Sequence, residues 1–182
     1  LAISGWMADD ELQFLAEQAQ TRLRIIEVGS WCGRSTRALA DHTPGLVWAI
    51  DNWLGSPGAV DPVNDLLALN GREVVMALFQ ENMADVIATG KVIVVNETIE
   101  IAARHLLATH GPTFDMVFID ASHGYEDVRQ DILTYQKLLS PDGILCGHDI
   151  GMSSVHRAVH EIYGDYQSMV GQIWQAPRRL PY

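Results

Sequence analysis

The sequence Ile25-Ile26-Glu27-Val28-Gly29-Ser30-Trp31-Cys32-Gly33-Arg34-Ser35-Thr36 is the most informative part of this chain. It begins with a short apolar run that contains one acidic residue. Two glycines four positions apart follow, and a Ser-Thr pair then opens a helical pattern. This order predicts a strand, a tight loop and the first turn of a helix. A ligand could therefore approach the loop backbone closely, because glycine has no Cβ atom.

The groups that this loop offers favour one kind of ligand. A helix start presents unpaired N–H groups, and Glu27 at the strand end can accept bonds from a cationic or hydroxyl group. Amides, bare backbone and one carboxylate suit a zwitterionic amino-acid nucleoside better than a pyrophosphate. The alternative is an ordinary strand-to-helix connection without a ligand.

The pattern Glu-x-Gly-x-x-x-Gly resembles the first motif of class I S-adenosylmethionine (SAM)-dependent methyltransferases. It differs from the Gly-x-Gly-x-x-Gly pattern of dinucleotide-binding folds in the spacing of its glycines. The resemblance implies that this segment binds the cofactor SAM. The implied contacts are Glu27, Gly29, Ser30, Gly33 and Ser35.

Composition limits the class of protein. The 182 residues fit one domain, 1–182, and 48% of them are apolar, as expected for a globular chain. The net charge of −11 argues against nucleic acid or an anionic membrane as partner, because phosphates require clustered Lys and Arg. Residues 1–10 lack the basic residues of a signal peptide, and Cys32 and Cys146 do not form a disulfide framework. A cytoplasmic location is therefore expected.

Strand and helix patterns alternate along the chain, which predicts an α/β fold with a doubly wound, mainly parallel sheet. The resemblance implies seven strands in a Rossmann-like methyltransferase arrangement. Asp9 or Asp10 can cap a first helix. Further helices are predicted over 35–41, 73–88, from Thr98, over 125–139 and over 153–164, and strands over 24–28, 47–50, 92–95, 114–119, 144–146, 166–170 and 172–175, with a turn at 140–143.

Asp51 ends the second predicted strand, about twenty residues past the glycine loop. An acidic residue at this place binds ribose hydroxyls in dinucleotide folds, and the resembled methyltransferases use theirs in the same way. Asn52 is a further candidate for the cofactor site, and the alternative for Asp51 is a turn-capping residue. Residues 52–71 are rich in turn formers, and so long a loop predicts a lid or a substrate-facing segment. Trp53 could pack under that lid or in the core.

The third predicted strand is followed by Asn96-Glu97-Thr98, where Thr98 can cap the next helix. In the resembled family this loop lies at the edge of the adenine. Glu97 and the backbone of Thr98 are therefore implied as cofactor contacts.

Two further strands end in polar clusters, Asp120-Ala121-Ser122-His123 and Gly147-His148-Asp149. Neighbouring parallel strands bring such ends to one sheet edge. The chain here resembles macrocin-type sugar O-methyltransferases and cephalosporin-hydroxylase-like proteins. The motifs that carry this resemblance are Phe-Ile-Asp-Ala-Ser-His-Gly-Tyr and Leu-Ser-Pro-Asp-Gly-Ile-Leu-Cys-Gly-His-Asp, together with Asp51-Asn52-Trp53 and Asn82. This resemblance extends from about residue 25 to residue 162.

Methyl transfer is an in-line displacement, so it needs orientation of the acceptor and a base for its proton. The resemblance implies His123 as the base and Asp120 as a second catalytic residue that also contacts the cofactor. It also implies a divalent metal bound by Asp120, His148 and Asp149. Histidine at position 148 replaces a carboxylate of the family and would favour manganese over magnesium. The alternative is that Asp120 caps a helix and that both histidines are structural.

The predicted function is a SAM-dependent O-methyltransferase that acts on a small hydroxylated molecule, a sugar or a natural product. A homo-oligomer is left open. One alternative is a non-catalytic cofactor-binding or assembly module with the same fold. The other is an NAD-dependent oxidoreductase, which the glycine spacing opposes.

Overall fold

The computed structural model describes residues 3–55 and 72–177. Its strands are β1 (Arg24–Val28), β2 (Leu46–Ile50), β3 (Val92–Val95), β4 (Phe114–Ile119), β5 (Leu139–Gly147), β6 (Gln167–Ser168) and β7 (Trp174–Gln175). Its helices are α1 (Asp9–Ala19), α2 (Arg34–His42), α3 (Arg72–Asn82), α4 (Ala84–Ala88), α5 (Ile99–His110), α6 (Tyr125–Tyr135) and α7 (Ser153–Tyr163), with a 3₁₀ turn at Gln136–Leu138. Within these residues, no helix has the length and apolar character that crossing a bilayer requires.

The strands form one seven-stranded sheet in the order β3-β2-β1-β4-β5-β7-β6. The first five strands in this order are parallel, and β7 is antiparallel to both of its neighbours. The predicted α/β fold with a mainly parallel, doubly wound sheet is therefore confirmed. The carboxyl ends of β1, β2, β3, β4 and β5 all lie at one edge, where ligands bind in such sheets.

Two apolar layers cover the two faces of the sheet. One layer packs α1, α2, α3 and α4 against it, with Leu15, Leu39 and Phe79 among its buried residues. The other layer packs α5, α6 and α7 against the opposite face, with Leu106 and Ile132 among its buried residues. Loops at the carboxyl edge can therefore draw residues from both faces.

The predicted N-terminal cap is confirmed for α5 and wrong for α1. Thr98 caps α5 as predicted, because its side chain accepts a hydrogen bond from the N–H of Ile101. The predicted cap of α1 by Asp9 or Asp10 is wrong, since Ala8 is the N-cap residue. The backbone N–H of Ala8 instead donates to the Glu11 carboxylate at 2.8 Å.

Several element boundaries differ from the predictions, and the strands predicted over 166–170 and 172–175 are shorter, as β6 and β7. The predicted helix over 73–88 is two helices, because Met83 leaves the helical region at φ −105° and ψ 6°. The predicted helix over 125–139 ends as α6 and continues as the 3₁₀ turn. The predicted turn at 140–143 lies inside β5, where Leu139 pairs with Phe114 and Ile144 with Met116, so that the ladder shifts its register around these residues.

The segment after β2 is described only at its start. Trp53 is fully buried, with its ring 5.3 Å from that of Phe79 in α3, and its indole N–H donates to the carbonyl of Trp31 at 2.8 Å. Trp53 is therefore part of the core on this face. Most of the predicted lid lies at 56–71, outside the described residues.

Candidate functional site

A cavity of about 520 Å³ lies at the carboxyl edge of the sheet. Its wall combines the loop after β1, the end of β2, the start of α5, the segments after β4 and β5, and one side of α6. Residues 4–7, which precede α1, complete the wall near the glycine loop. The cavity thus spans the sheet edge from one apolar layer to the other.

The two glycines of the loop after β1 are required by geometry. Gly29 has φ 89°, and a Cβ atom on it would lie 2.0 Å from the carbonyl oxygen of Asp120. Gly33, the N-cap of α2, has φ 92°, and a Cβ atom there would lie 3.0 Å from the Met83 side chain. The loop therefore runs directly against the chain that follows β4, and any side chain would push the two apart.

Asp51 holds this loop in place while it also lines the cavity. Its Oδ2 accepts hydrogen bonds from the N–H groups of Ser30, at 3.0 Å, and Trp31, at 2.8 Å. Its Oδ1 accepts from the N–H of Trp53 at 2.6 Å. Burial raises the pKa of Asp51, although these backbone donors oppose the rise. One carboxylate therefore joins the ends of β1 and β2 under the cavity.

Asn82 fixes the loop from the other side. Its side-chain amide donates to the carbonyl oxygen of Cys32 at 2.8 Å. This contact gives a structural reason for the asparagine that the sequence resemblance included. The glycine loop is therefore anchored by β2 and by α3 together.

Glu27 lies behind the loop and not at the cavity wall. Its Oε2 accepts from the hydroxyl of Ser30 at 2.8 Å and from the hydroxyl of Thr36 in α2. Burial raises the pKa of Glu27 to about 7, and the hydroxyl donors only partly offset this. We expect Glu27 to act through the loop that it supports, since its side chain is fully enclosed.

Replacing Glu27 by glutamine should change how stability depends on pH. The folded pKa of about 7 exceeds the ordinary value of 4.5, so the folded state holds its proton while the unfolded state loses it. The wild type should therefore lose stability as pH rises from 4.5 to 7, by roughly 3 kcal/mol at most. Glutamine keeps the acceptor but does not titrate. Urea unfolding at pH 5 and pH 8 should show the stability of Glu27→Gln, relative to wild type, increasing with pH. A pH-independent difference would contradict this account.

Asp120, His123 and Asp149 form the polar cluster of the site. One ligand atom from each lies within 4.8 Å of the others, and the His123 Nε2 is 2.8 Å from the Asp149 Oδ2. The hydrogen bond to Asp149 raises the pKa of His123. Burial and the charge of Asp149 both raise the pKa of Asp120, which lies at about 6. The cluster therefore holds two carboxylates and one imidazole at the ends of adjacent strands.

His148 stands behind this cluster and is buried. Its Nε2 lies 3.2 Å from the Oε1 of Glu11, and its Nδ1 lies 3.3 Å from Asp149 and 3.8 Å from Asp120. Burial lowers the pKa of His148, but the surrounding carboxylates outweigh it and raise the value to about 9. His148 therefore links the end of β5 to α1 through its contacts with three carboxylates.

The structure brings most of the predicted site residues to the cavity wall. Those at the wall are Gly29, Ser30, Ser35, Asp51, Asn52, Thr98, Asp120, His123, His148 and Asp149. Glu27, Gly33 and Glu97 are not wall residues. Glu97 instead pairs with the exposed His105, at 2.9 Å from its Nδ1.

Several residues of the site had no signal in the sequence. The Glu11 carboxylate, besides contacting His148, accepts from the N–H of Gln172 at 2.6 Å. Arg34 donates to the carbonyls of Ile3 and Met7, both at 3.0 Å, which places residues 4–7 on the wall. Asp131 in α6 also lies in the wall. An aspartate inside a helix pattern would have been a signal only if its burial were known.

Solved structures share this architecture. An O-methyltransferase from Bacillus cereus, solved in complex with SAH, has a TM-score of 0.69 at 16% identity, over 96% of this chain and 83% of that chain. TomG from Streptomyces achromogenes, an O-methyltransferase involved in tomaymycin synthesis and solved with SAM, has a TM-score of 0.68 at 18% identity, over 93% and 79%. The SAH-bound methyltransferase PaMTH1 of Podospora anserina has a TM-score of 0.67 at 15% identity, over 93% and 78%. At these identities the likeness shows the fold.

The family of this chain is assigned from its sequence. No curated protein matches it significantly. The family described as "Methyltransferase domain" matches residues 26–150, which include the glycine loop, Asp51, Asp120 and Asp149. The match extends over more than two thirds of the chain and confirms the resemblance seen in the sequence. The chain belongs to this methyltransferase family.

Proposed function

We propose that this protein transfers the methyl group of SAM to a hydroxyl group of a small molecule. The observation that carries the proposal is the position of Asp120, His123 and Asp149 in the wall of a cavity that the glycine loop also bounds. A base and a nucleoside-binding loop thus face the same space. The net charge of −11 supports a small-molecule acceptor over a nucleic acid.

The residues around the glycine loop suit the cofactor. The first turn of α2, which lines the cavity through Arg34 and Ser35, suits the carboxylate of the methionine part. Asp51 has two oxygens with about four acceptor sites. The three backbone donors of Ser30, Trp31 and Trp53 leave acceptor capacity for a ribose hydroxyl. The loop and Asp51 therefore bind adjoining parts of one nucleoside.

His123 is assigned the proton of the acceptor. Its Nε2 is paired with the Asp149 carboxylate at 2.8 Å, which leaves Nδ1 to take a proton from a hydroxyl. Asp149 orients the imidazole and stabilises the cation that forms. An alcohol is a poor nucleophile while it holds its proton, so this step raises the rate of displacement at the sulfonium carbon. Asp120, three residues before His123, carries a negative charge that favours the same cation.

The same cluster fits a divalent metal ion. Two carboxylates and one imidazole within 4.8 Å of one another are a donor set that suits manganese better than magnesium. Asp120, His123 and Asp149 would hold the ion in place of the Asp120, His148 and Asp149 set that the resemblance implied, with His148 in contact with both carboxylates behind them. With the ion bound, His123 would serve as a ligand and not as the base. When bound, the ion would supply acidification of a coordinated acceptor hydroxyl.

Similar structures support the choice of oxygen as acceptor. The Bacillus cereus protein and TomG are both O-methyltransferases. TomG is involved in the synthesis of a small natural product. A hydroxylated sugar or natural product is therefore the acceptor class that we propose for this chain.

Incubation with methyl-labelled SAM and a panel of hydroxylated sugars and phenols tests the proposal. We expect label transfer to at least one alcohol and none to matched deoxy compounds. A parallel series with a chelator, followed by manganese addition, should reduce and restore the rate if the metal serves the reaction. SAM binding without transfer to any acceptor would favour the non-catalytic module. Binding of NAD with no SAM binding would favour the oxidoreductase.

A further inference from the structure

The cavity wall includes a region where α5 and α6 meet, in the layer on the opposite face of the sheet from α1 and α2. Thr98, Ile99 and Glu100 from the start of α5 and Gln130 and Asp131 from α6 form this part of the wall. The hydroxyl of Tyr135 in α6 donates to the carbonyl of Ile99 at 2.8 Å and holds the two helices together. This region lies over the apolar layer that contains α5, α6 and α7.

Asp131 is unusual among the residues of this wall. It is only 4% exposed, and its Oδ2 is buried without a hydrogen-bond partner among the described residues. Its charged neighbours are Glu100 and Asp127, so it faces carboxylates and not cations. Burial, followed by these two charges, raises the pKa of Asp131 to about 7. A buried acceptor without a donor is destabilising, so a wall residue of this kind implies a ligand that supplies the donor.

Asp131 differs in this respect from the other carboxylate on the same side of α6. Asp127 accepts a hydrogen bond from the hydroxyl of Ser122 at 2.6 Å and is exposed. Its Oδ2 therefore already has a donor from the protein. Asp131 is therefore the side chain in this region that is prepared for a donor from outside.

The direction of the ligand follows from the proposed function, on which this inference rests. The two substituents of the ribose, at C1′ and C5′, leave it in different directions. Suppose that Asp51 binds the ribose, while the glycine loop and the cluster of Asp120, His123 and Asp149 face the aminoacyl and methyl groups. The adenine then points to the part of the wall that α5 and α6 form. Ile99 offers an apolar surface for a flat ring there, and Asp131 offers an acceptor.

We propose that Asp131 accepts a hydrogen bond from the exocyclic 6-amino group of the adenine of SAM. The amine is the hydrogen-bond donor on the outer edge of adenine, so it matches an acceptor without a partner. Both the carboxylate and the neutral carboxyl group retain an acceptor oxygen. Asp131 is thus the residue that makes the site specific for adenine over a purine without the amine.

Binding of S-adenosylhomocysteine and of its analogue with hydrogen in place of the 6-amino group tests the proposal by calorimetry. The wild type should bind the analogue on the order of ten- to hundredfold more weakly, because a buried acceptor is left without its donor. In Asp131→Leu the two ligands should bind with nearly equal affinity. In Asp131→Asn, whose amide oxygen is still an acceptor, the preference for the amine should remain.

Glu126→Leu is the matched control, because Glu126 is an exposed carboxylate of the same helix outside the cavity wall. Its preference for the amine should equal that of the wild type. Equal binding of both ligands by the wild type would overturn the role of Asp131 without any variant, and so would an unchanged preference in Asp131→Leu. A wild type that binds neither ligand would overturn the proposed function as well.

Discussion

His123→Ala should lower the turnover number by about 10²- to 10⁴-fold while the affinity for S-adenosylhomocysteine stays within about twofold. The imidazole is paired with Asp149 at 2.8 Å and lies in the cavity wall, so its removal takes away the group that accepts the proton of the hydroxyl. The glycine loop and Asp51 are untouched, and cofactor binding should therefore persist. Steady-state kinetics with the acceptor found in the labelling assay, together with calorimetry, measures both quantities.

His105→Ala is the control for this variant. His105 is also paired with a carboxylate, Glu97, but it is exposed and is not among the wall residues. Its replacement should leave turnover near that of the wild type. Full activity of His123→Ala would remove His123 from the proton transfer, and a parallel loss of cofactor affinity would give it a structural role instead.

Gly29→Ala should strongly destabilise the fold. The residue has φ 89°, and the added Cβ would lie 2.0 Å from the carbonyl oxygen of Asp120. The loop would have to move away from the chain after β4, at a cost on the order of 3 kcal/mol or more. For a chain of this size, the melting temperature should fall by roughly 6–12 °C. Binding of S-adenosylhomocysteine should weaken as well, because the part of the cavity wall that the loop forms would be displaced.

Gly90→Ala separates backbone strain from steric contact. Gly90 has φ 73°, but a Cβ atom there would meet nothing within 4 Å. Its replacement should therefore cost only about 1–2 kcal/mol, the strain of a left-handed residue. Thermal unfolding of both variants measures the difference. Equal losses of stability would show that the contact with Asp120 does not restrict the loop.

The site residues at the carboxyl edge of the sheet were largely predictable from the sequence. Asp51 is placed by its position after a buried strand, and Asp120 and Asp149 by the same logic, because carboxyl ends of parallel strands share one edge. All three lie in the wall of one cavity. Glu27 shows the limit of this reasoning, since strand-end position does not reveal whether a side chain lies in front of the loop or behind it.

Short-range pattern alone determined that strands and helices alternate, that the sheet is mainly parallel, and that glycines follow β1. These features depend on periodicity and on backbone freedom, which neighbouring residues fix. Only the tertiary structure placed Glu11 against His148, 137 positions later in the chain, and left the Oδ2 of Asp131 buried without a hydrogen-bond partner among the described residues. Such contacts depend on how distant elements pack and how much water they exclude, and no local pattern records either quantity.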